Sequence, residues 1–335
     1  MPTFFVRRIF TMLLVWLGVT ILTFFIANVV PADPVALRLG PKATSESIQY
    51  WRHEYGLDRP LPEQYIRFMG GLLKGDLGTS IWSGRPIIKD LYDYFPATLE
   101  LAVVALFLAI LTGIPVGLWA AIRTGKTVDR IIQFISTSGL ALPLFWFGLV
   151  LQLLFYRRLG ILPLDSRIDL VLGPPGRITG LYLVDSLLHF DFERFGNSLI
   201  HMILPAFTLS LPAIGAVIRM MRASTLDILT QDFIRAARAK GVPEKLVLFR
   251  HVVRNALLPV VTLLGNLFNA LLGGVFVVEA VFSWPGLGWY ATKVILASDY
   301  SSIVSITLVI AVLSTSVNLL VDILYRKLDP RIQLT

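Results

Sequence analysis

Long apolar runs dominate the pattern of hydrophobic and polar positions along this chain, and polar residues gather between them. A membrane-crossing helix needs about 20 mostly apolar residues to span a hydrocarbon core about 30 Å thick. Six stretches meet that requirement: residues 9–30, 97–122, 132–156, 201–221, 257–282 and 301–325. Because helices satisfy their backbone hydrogen bonds internally in lipid, the pattern predicts an all-α integral membrane protein with six transmembrane helices.

The polar region between the fourth and fifth spans is patterned as two helices. Residues 224–240 predict the first, in which one stripe is apolar: Leu226, Leu229, Phe233, Ala236 and Ala237. Gly241 suits the left-handed position that ends a helix, and Pro243 suits the first turn of a second helix that runs to about Leu258. A basic segment of this kind either docks into a groove on a partner or lies on anionic lipid, and the pattern leaves both open.

The other connections carry weaker signals. Residues 44–55 and 62–74, between the first two spans, predict short amphipathic helices. The segment 157–200 gives no chemical clue. Phe282 to Tyr290 forms a turn rich in glycine, proline and aromatic residues, and its aromatic side chains suit a membrane-interface belt. The carboxylates of these connections are expected to be solvated loop charges, among them Asp58, Asp76 and Asp90.

Composition supports a membrane protein and removes several kinds of site. The chain of 335 residues is 55% hydrophobic, and only 16% of its residues are charged, whereas a soluble domain carries about a quarter. It has no cysteine and four histidines, none within a helical turn of another. Disulfides, thiol chemistry and cysteine-based metal sites are therefore excluded, and no local histidine metal motif is present.

The net charge of +8 follows membrane topology and does not indicate nucleic-acid binding. Six spans place both termini on one side, together with the loops 123–131 and 222–256. Lysine and arginine are about twice as dense there as in the segments on the opposite side, which are 31–96, 157–200 and 283–300. The positive-inside rule makes the first side cytoplasmic.

Other classes of membrane protein lack their signatures. Thr124 to Thr127 reads TGKT, but Ala120 occupies the position at which a phosphate-binding loop needs glycine. No catalytic constellation is evident, which argues against a membrane enzyme. A secondary transporter would bury ionisable relays in the membrane. The main polar residues of the spans are Gln133, Gln152, Asn266, Asn269, Asn318 and Asp322, and only Asp322 is a candidate for such a relay.

Several ordered motifs resemble those of ATP-binding-cassette importer permeases. Arg235-Ala236-Ala237, three residues and then Gly241 are similar to that family's cytoplasmic coupling loop, although Arg235 stands where the family pattern has glutamate. The chain resembles in particular the B-type permease subunit of the dipeptide, oligopeptide and nickel branch. The residues that carry this closer likeness are His251–Pro259, Val278–Gly288, Asp329–Ile332, Pro31–Pro34, Gly56–Leu61 and Gly75–Gly78.

The resemblance implies a type I importer permease fold with an extracytoplasmic extension after the first helix. It divides the chain into residues 1–96, which hold the first helix and that extension, a permease core at 97–325 and a cytoplasmic tail at 326–335. The extension would contact a substrate-binding protein or pack against its own helices. The implied coupling residues, within the loop 222–259, are Asp232, Arg235, Ala236, Ala237, Ala239, Lys240, Gly241, His251, Arg254, Asn255 and Pro259.

The same resemblance implies an outer gate and a set of partners. The gate would comprise Glu279, Phe282, Trp284, Pro285, Gly286 and Gly288. The expected partners are a second homologous permease, two ATPase subunits, an extracytoplasmic substrate-binding protein and the lipid of the bacterial inner membrane. No cofactor is expected in this chain, because ATP and magnesium would bind the ATPases. The implied cargo is a short peptide, with nickel or a metal chelate as the alternative.

Overall fold

The computed structural model describes residues 2–29, 43–54 and 58–328, and within them the fold is helical apart from one antiparallel bridge between Thr79 and Pro86. The motifs at Pro31–Pro34 and Asp329–Ile332, part of Gly56–Leu61, and the side chain of Asp322 lie outside the described residues. The helices are α1 (Pro2–Val29), α2 (Ser45–Glu54), α3 (Leu61–Leu73), α4 (Ile87–Ile122), α5 (Thr127–Ala141), α6 (Leu144–Arg158), α7 (Tyr182–Leu188), α8 (Phe192–Leu229), α9 (Asp232–Ala239), α10 (Glu244–Val281), α11 (Leu287–Leu296) and α12 (Tyr300–Leu328).

Five helices of the described ranges are long and apolar enough to cross a membrane, and α5 with α6 makes a sixth if that bent pair is one span. The sequence predicts a continuous span over 132–156, but α5 and α6 meet at 108°. Pro143 explains the break, because proline lacks a backbone N–H and disfavours helical geometry at the residue before it. Leu142 accordingly has an extended ψ of 127°.

The chain forms two compact units. Unit 1 comprises Met1–Ala97 and Pro285–Ser316, and unit 2 comprises Thr98–Trp284 and Val317–Thr335. The predicted division into residues 1–96, 97–325 and 326–335 has different boundaries. It stays a prediction about domain organisation. Both predicted short helices of the extension are present in unit 1, as α2 and α3.

Within unit 1 the extension packs against the first membrane helix. The hydroxyls of Tyr65 on α3 and Thr20 on α1 are 2.9 Å apart, within hydrogen-bonding distance. The ring of Phe24 meets Tyr65 edge-on at 5.3 Å and lies 5.9 Å from Phe68. Helix α3 therefore uses its predicted apolar side to contact its own chain.

Unit 2 is organised around α8, which packs against α4, α5, α7 and α10. Glycines permit the closest approaches: a Cβ added at Gly113 or Gly117 would lie 2.7 Å from an atom of Val217 or Ile218. A real Cβ does not tolerate that distance without a shift of the backbone. Small residues therefore set how closely these apolar helices pack, as in other membrane bundles.

Candidate functional site

The predicted coupling segment is built on α9, a helix of eight residues that ends at a tight turn. The amide of Gly241 donates to Arg238 O at 2.9 Å, and the amide of Val242 donates to Ala237 O at 3.3 Å. These two bonds form a Schellman cap, in which Gly241 takes the left-handed conformation with φ of 76°. The predicted role of Gly241 in ending the helix is confirmed.

The predicted pair of isolated helices is wrong in both of its outer boundaries. A helix over 224–240 is interrupted, because α8 ends at Leu229 and Gln231 is extended, with ψ of 147°. The Thr230 hydroxyl donates to Asp227 O at 2.8 Å, a local bond that competes with helix continuation. The second helix does not stop near Leu258, since α10 continues from Glu244 to Val281. The segment is therefore one short helix between two long ones.

The buried side of α9 also differs from the predicted stripe. Ile234 is fully buried with Val247 and Val252 of α10, whereas Phe233 is 45% exposed. The reason is the break before α9. Because the helix is interrupted, the helical periodicity that places Leu226 and Leu229 on one side does not extend into α9, and α9 buries a different side. Ala237 and Val242 pack against the same small core.

The outer side of this turn exposes apolar and small residues between charges. Phe233 on α9 and Leu246 and Phe249 on α10 are 45%, 46% and 61% exposed. Ala237 is partly buried, and the other predicted coupling residues of α9 and its cap are exposed: Asp232, Arg235, Ala236, Ala239, Lys240 and Gly241. Such an exposed apolar surface, held by a buried core, is suited to docking in a cleft.

Two ion pairs join four of the charged side chains of this turn. Arg235 pairs with Asp232 at 3.3 Å, and Arg238 pairs with Glu244 across the turn at 2.6 Å. The second pair joins α9 to the start of α10, and the hydrogen bond to Glu244 raises the pKa of Arg238. The arginine at the position of the family's glutamate therefore has an acidic partner one helical turn earlier.

The remaining predicted coupling residues lie on a π-helical turn, Val247–Val253, and on the start of the α-helical stretch that follows it. Asn255 Nδ2 donates to the carbonyl of His251 at 2.6 Å. His251 and Asn255 are partly buried, whereas Arg254 and Pro259 are exposed. A π-turn inside a helix often marks a functional site.

A buried carboxylate that sequence reasoning missed ties the 123–131 loop to α8. Asp129 is 2% exposed and accepts bonds from Arg222 at 2.7 and 2.9 Å. The amide of Gly125 donates to the same carboxylate at 3.1 Å. The TGKT sequence thus uses its backbone to bind Asp129. In the sequence, Asp129 had only the ordinary appearance of an aspartate in the first turn of a helix.

The predicted outer gate is mostly buried. Glu279 is fully buried and accepts a 2.6 Å hydrogen bond from the Thr98 hydroxyl, and its carbonyl accepts from the amide of Trp284 at 2.9 Å. Phe282 packs against Gly148. Among the other predicted gate residues, Pro285 is partly buried, and Gly286 and Gly288 are buried.

The expectation that Trp284, Trp289 and Tyr290 suit a membrane-interface belt is wrong for Trp284 and Tyr290. Trp284, in unit 2, and Tyr290, in unit 1, are both fully buried. Within unit 1, Tyr290 stacks on Tyr94 at 5.0 Å, and its hydroxyl donates to Ser302 at 3.0 Å or Asp90 at 3.2 Å. Burial raises the pKa of Tyr290 to about 12.

Asp90, expected to be solvated, is 1% exposed and lies 3.5 Å from Arg85. Asp299 is buried in the same unit, where it accepts bonds from the hydroxyls of Ser80 and Ser302 at 2.6 and 2.7 Å. The expectation failed because a single aspartate looks the same in sequence whether it is solvated or enclosed. Asp58 and Asp76 are exposed, as expected for loop charges.

The segment 157–200 also contains chemistry that its sequence did not reveal. Arg167 and Glu100 form a buried ion pair at 2.5 Å, and the guanidinium lies 3.6 Å from the centre of the Tyr182 ring. Asp185 is buried too; burial alone would raise its pKa, but bonds from Thr179 and neighbouring amides hold the pKa below its usual range. Within the described residues, no group of three or more histidine and carboxylate side chains could hold a metal.

Comparison with known proteins decides the family. Residues 113–334 match the profile of the binding-protein-dependent transport system inner membrane component, and residues 1–102 match the N-terminal profile of the same systems. The chain belongs to this family. It is a multi-pass inner-membrane permease of a binding-protein-dependent transport system, with the type I permease fold.

Relatives of this permease cover essentially its whole length. It is 41% identical to a probable D,D-dipeptide transport system permease protein of Escherichia coli K12, over 97% of this chain and 96% of the relative. It is 38% identical to an oligopeptide transport system permease protein of Bacillus subtilis 168 and 37% identical to a dipeptide transport system permease protein of Alkalihalophilus pseudofirmus. Each of these alignments covers 99% of this chain and 100% of the relative.

Proposed function

We propose that this permease is a pore subunit of an ATP-driven importer for short peptides, with both termini in the cytoplasm. The cargo is supported by the dipeptide and oligopeptide systems of its full-length relatives. The orientation is supported by the excess of basic residues on the side that holds α9. The single observation that carries the coupling role is the exposed apolar surface of α9 and its turn, supported from below by Ile234.

In this proposal the permease works with four further subunits: a second homologous permease, two ATPases and an extracytoplasmic substrate-binding protein. ATP and magnesium bind the ATPases. The use of the Gly125 amide by Asp129 supports the absence of a nucleotide site at TGKT in this chain. Helix α9 seats in a cleft of one ATPase, and closure of the ATPase pair shifts the permease between inward-open and outward-open states.

The contacts around α9 suit it to transmit displacement. The core of Ile234, Val247 and Val252 links α9 to α10, and the Asp129–Arg222 pair links the 123–131 loop to α8. Each contact therefore involves a long membrane helix, α10 in the first case and α8 in the second. Each ligand, ATP or loaded binding protein, then shifts the equilibrium by its differential affinity for the two states.

Nickel or a metal chelate remains the alternative cargo of the same machinery. A proton-driven secondary transporter is the alternative mechanism. The buried carboxylates Glu100 and Asp129 each have an arginine partner, and Glu279 accepts a bond from Thr98. These partners suit structural roles, which favours ATP-driven import.

The cargo is tested by uptake in a strain that lacks this gene, with labelled dipeptides, longer peptides and nickel supplied separately. We expect loss of peptide uptake and normal nickel uptake. Unchanged peptide entry together with lost nickel entry would overturn the peptide assignment and leave the permease role intact. Uptake that persists when ATP is depleted but a proton gradient is maintained would overturn ATP-driven import.

The coupling surface is tested by copurification of the ATPases with the permease. Phe233→Ser removes an exposed apolar side chain from α9, and Phe192→Ser, at a 68% exposed position at the start of α8, is the matched control. We expect the first variant to lose most of the bound ATPase and the control to retain it. Equal retention by both variants, at equal amounts in the membrane, would contradict docking through α9.

A further inference from the structure

Two adjacent aliphatic side chains project almost completely into solvent from the connection between α6 and α7. Leu170 is 90% exposed and Val171 is 96% exposed. Removing apolar surface from water is favourable, so two aliphatic side chains exposed together at one tip forgo that stabilisation. A pair this prominent differs from the singly scattered apolar residues that any surface carries.

The tip formed by Leu170 and Val171 is held by hydrogen bonds at its base. The amide of Asp169 donates to Asn197 Oδ1 at 2.9 Å, and the Asp169 carboxylate accepts from the amide of Val171 at 2.9 Å. The amide of Gly173 closes the turn by donating to Asp169 O at 3.0 Å, with a left-handed φ of 68° at Gly173. The backbone is thus fixed in a shape that keeps both side chains outward.

A second anchor comes from the start of α8. Arg194 donates to the carbonyl of Leu172 at 3.1 Å and to that of Gly173 at 3.3 Å. Arg194 is itself paired with Asp191, the residue that caps the N-terminus of α8. A loop fixed in this way has little conformational entropy left to lose when it binds a partner.

The height of the tip along α8 separates a protein partner from the membrane. The anchors Arg194 and Asn197 precede the apolar stretch 201–221 by seven and four residues. At 1.5 Å per residue, they lie about 6–10 Å outside the start of that stretch. Their neighbours at this level include Asp191 and Asp169, so the tip lies among charged groups on the aqueous side of the hydrocarbon core.

We propose that Leu170 and Val171 form a docking point for the extracytoplasmic substrate-binding protein, whose surface supplies an apolar recess for the pair. The partner follows from the family, which depends on a binding protein. The side of the membrane rests on the proposed function. The fixed backbone presents a small convex apolar knob, and a rigid aliphatic knob gains affinity when a matching recess removes it from water.

The absence of cysteine gives a direct test in the complete transporter. Val171→Cys introduces a single thiol in this chain, to which a photoactivatable crosslinker is attached before the loaded binding protein is added to reconstituted membranes. We expect a covalent adduct with the binding protein, reduced by excess unlabelled binding protein. An adduct with lipid, an adduct with the second permease, or no adduct at all would overturn the proposal.

A titration measures the energetic role of the tip. The double variant Leu170→Ser, Val171→Ser is compared with Ile178→Ser, a control at a 58% exposed position of the same segment. We expect the double variant to need about tenfold more binding protein for half-maximal stimulation of ATP hydrolysis, with the saturated rate preserved. The control should match the unaltered transporter, and an unchanged half-saturation point in the double variant would contradict the proposal.

The outcome is separable from failure of the proposed function. If the unaltered transporter imports peptide and responds to the binding protein but the double variant behaves identically, only the docking point is wrong. If a thiol reagent that does not cross membranes fails to label Val171→Cys from outside intact spheroplasts, the tip faces the cytoplasm. That result would overturn the proposed orientation, and the docking point would fail with it because the binding protein is extracytoplasmic.

Discussion

The hydroxyl of Thr98 on α4 donates a 2.6 Å hydrogen bond to Oε1 of Glu279 on α10, and both side chains are buried. This bond joins two membrane helices that are 181 residues apart in sequence. It also places an ionisable residue in a location where a charged group without hydrogen-bond donors would be costly. Glu279 therefore acts as a polar fastening inside unit 2, whatever its role in gating.

Removing that donor should destabilise the permease. Thr98→Val keeps the shape of the side chain but deprives a buried carboxylate of a hydrogen bond, which costs about 1–3 kcal/mol. We expect a lower unfolding temperature in detergent, measured by intrinsic fluorescence. The control is Thr112→Val, because that hydroxyl is exposed and bonds to Leu108 O of its own helix. Equal unfolding temperatures for the two variants would show that the Thr98–Glu279 bond contributes nothing.

Gly241 should resist substitution because of its backbone conformation. Its φ is 76°, and nothing lies within 4 Å of the position a Cβ would occupy, so crowding is not the constraint. Gly241→Ala should cost about 1–2 kcal/mol locally and loosen the turn that presents α9. We expect transport per ATP hydrolysed to fall while the protein still reaches the membrane.

Gly241→Pro should act more strongly, because it also removes the amide that donates to Arg238 O. The comparison variant is Gly196→Ala on α8, a helical site that is equally open. It should transport normally. Full transport by Gly241→Pro would show that the capped turn is dispensable for coupling.

Tyr290 should make stability depend on alkaline pH. Its pKa in the folded state is about 12, raised by burial above the ordinary value of 10.0. The folded state thus holds the phenolic proton more tightly than the unfolded state. The associated stability is fully present below pH 10 and is lost as the pH rises towards 12.

The measurement is the difference in unfolding free energy between the unaltered protein and Tyr290→Phe, at pH 8 and at pH 11. Phenylalanine lacks the titrating proton, so the advantage of tyrosine should shrink at the higher pH. A difference that stays constant, or grows, across this range would contradict the assignment of the titration to Tyr290.

The buried pair of Arg167 and Glu100 should show strong coupling in a double-mutant cycle. Arg167→Met alone leaves a buried carboxylate without its cation and should destabilise by about 3–5 kcal/mol. Glu100→Gln combined with Arg167→Met removes both charges and should recover a large part of that loss. Chemical unfolding of the single and double variants measures the coupling, and strictly additive effects would contradict it.

The membrane architecture was predictable because it depends on local composition. Lipid requires every backbone hydrogen bond to be satisfied within the helix, so runs of apolar residues indicate spans directly. The helix end at Gly241 was equally predictable, since the left-handed conformation that ends a helix favours glycine. The two short helices of the extension followed from their own apolar periodicity.

The rest needed the three-dimensional structure. Pro143 sat in an apolar run that could hold a kinked or a broken helix, and the structure bends it by 108°. The interruption at Thr230 and Gln231 moved Ile234 inward and Phe233 outward, which a single continuous periodicity could not anticipate. An aspartate such as Asp90 has the same sequence appearance whether water or a tyrosine hydroxyl surrounds it.

By itself, the sequence determined that this chain is an all-helical membrane protein with a short capped turn among its basic connections. Those properties arise from residues close together in the chain and from the solvent each segment requires. Only the tertiary structure decided which carboxylates are enclosed, which side of α9 is free to dock and which loop tip projects. Each of these depends on the long-range packing that supplies, or withholds, a partner for a given side chain.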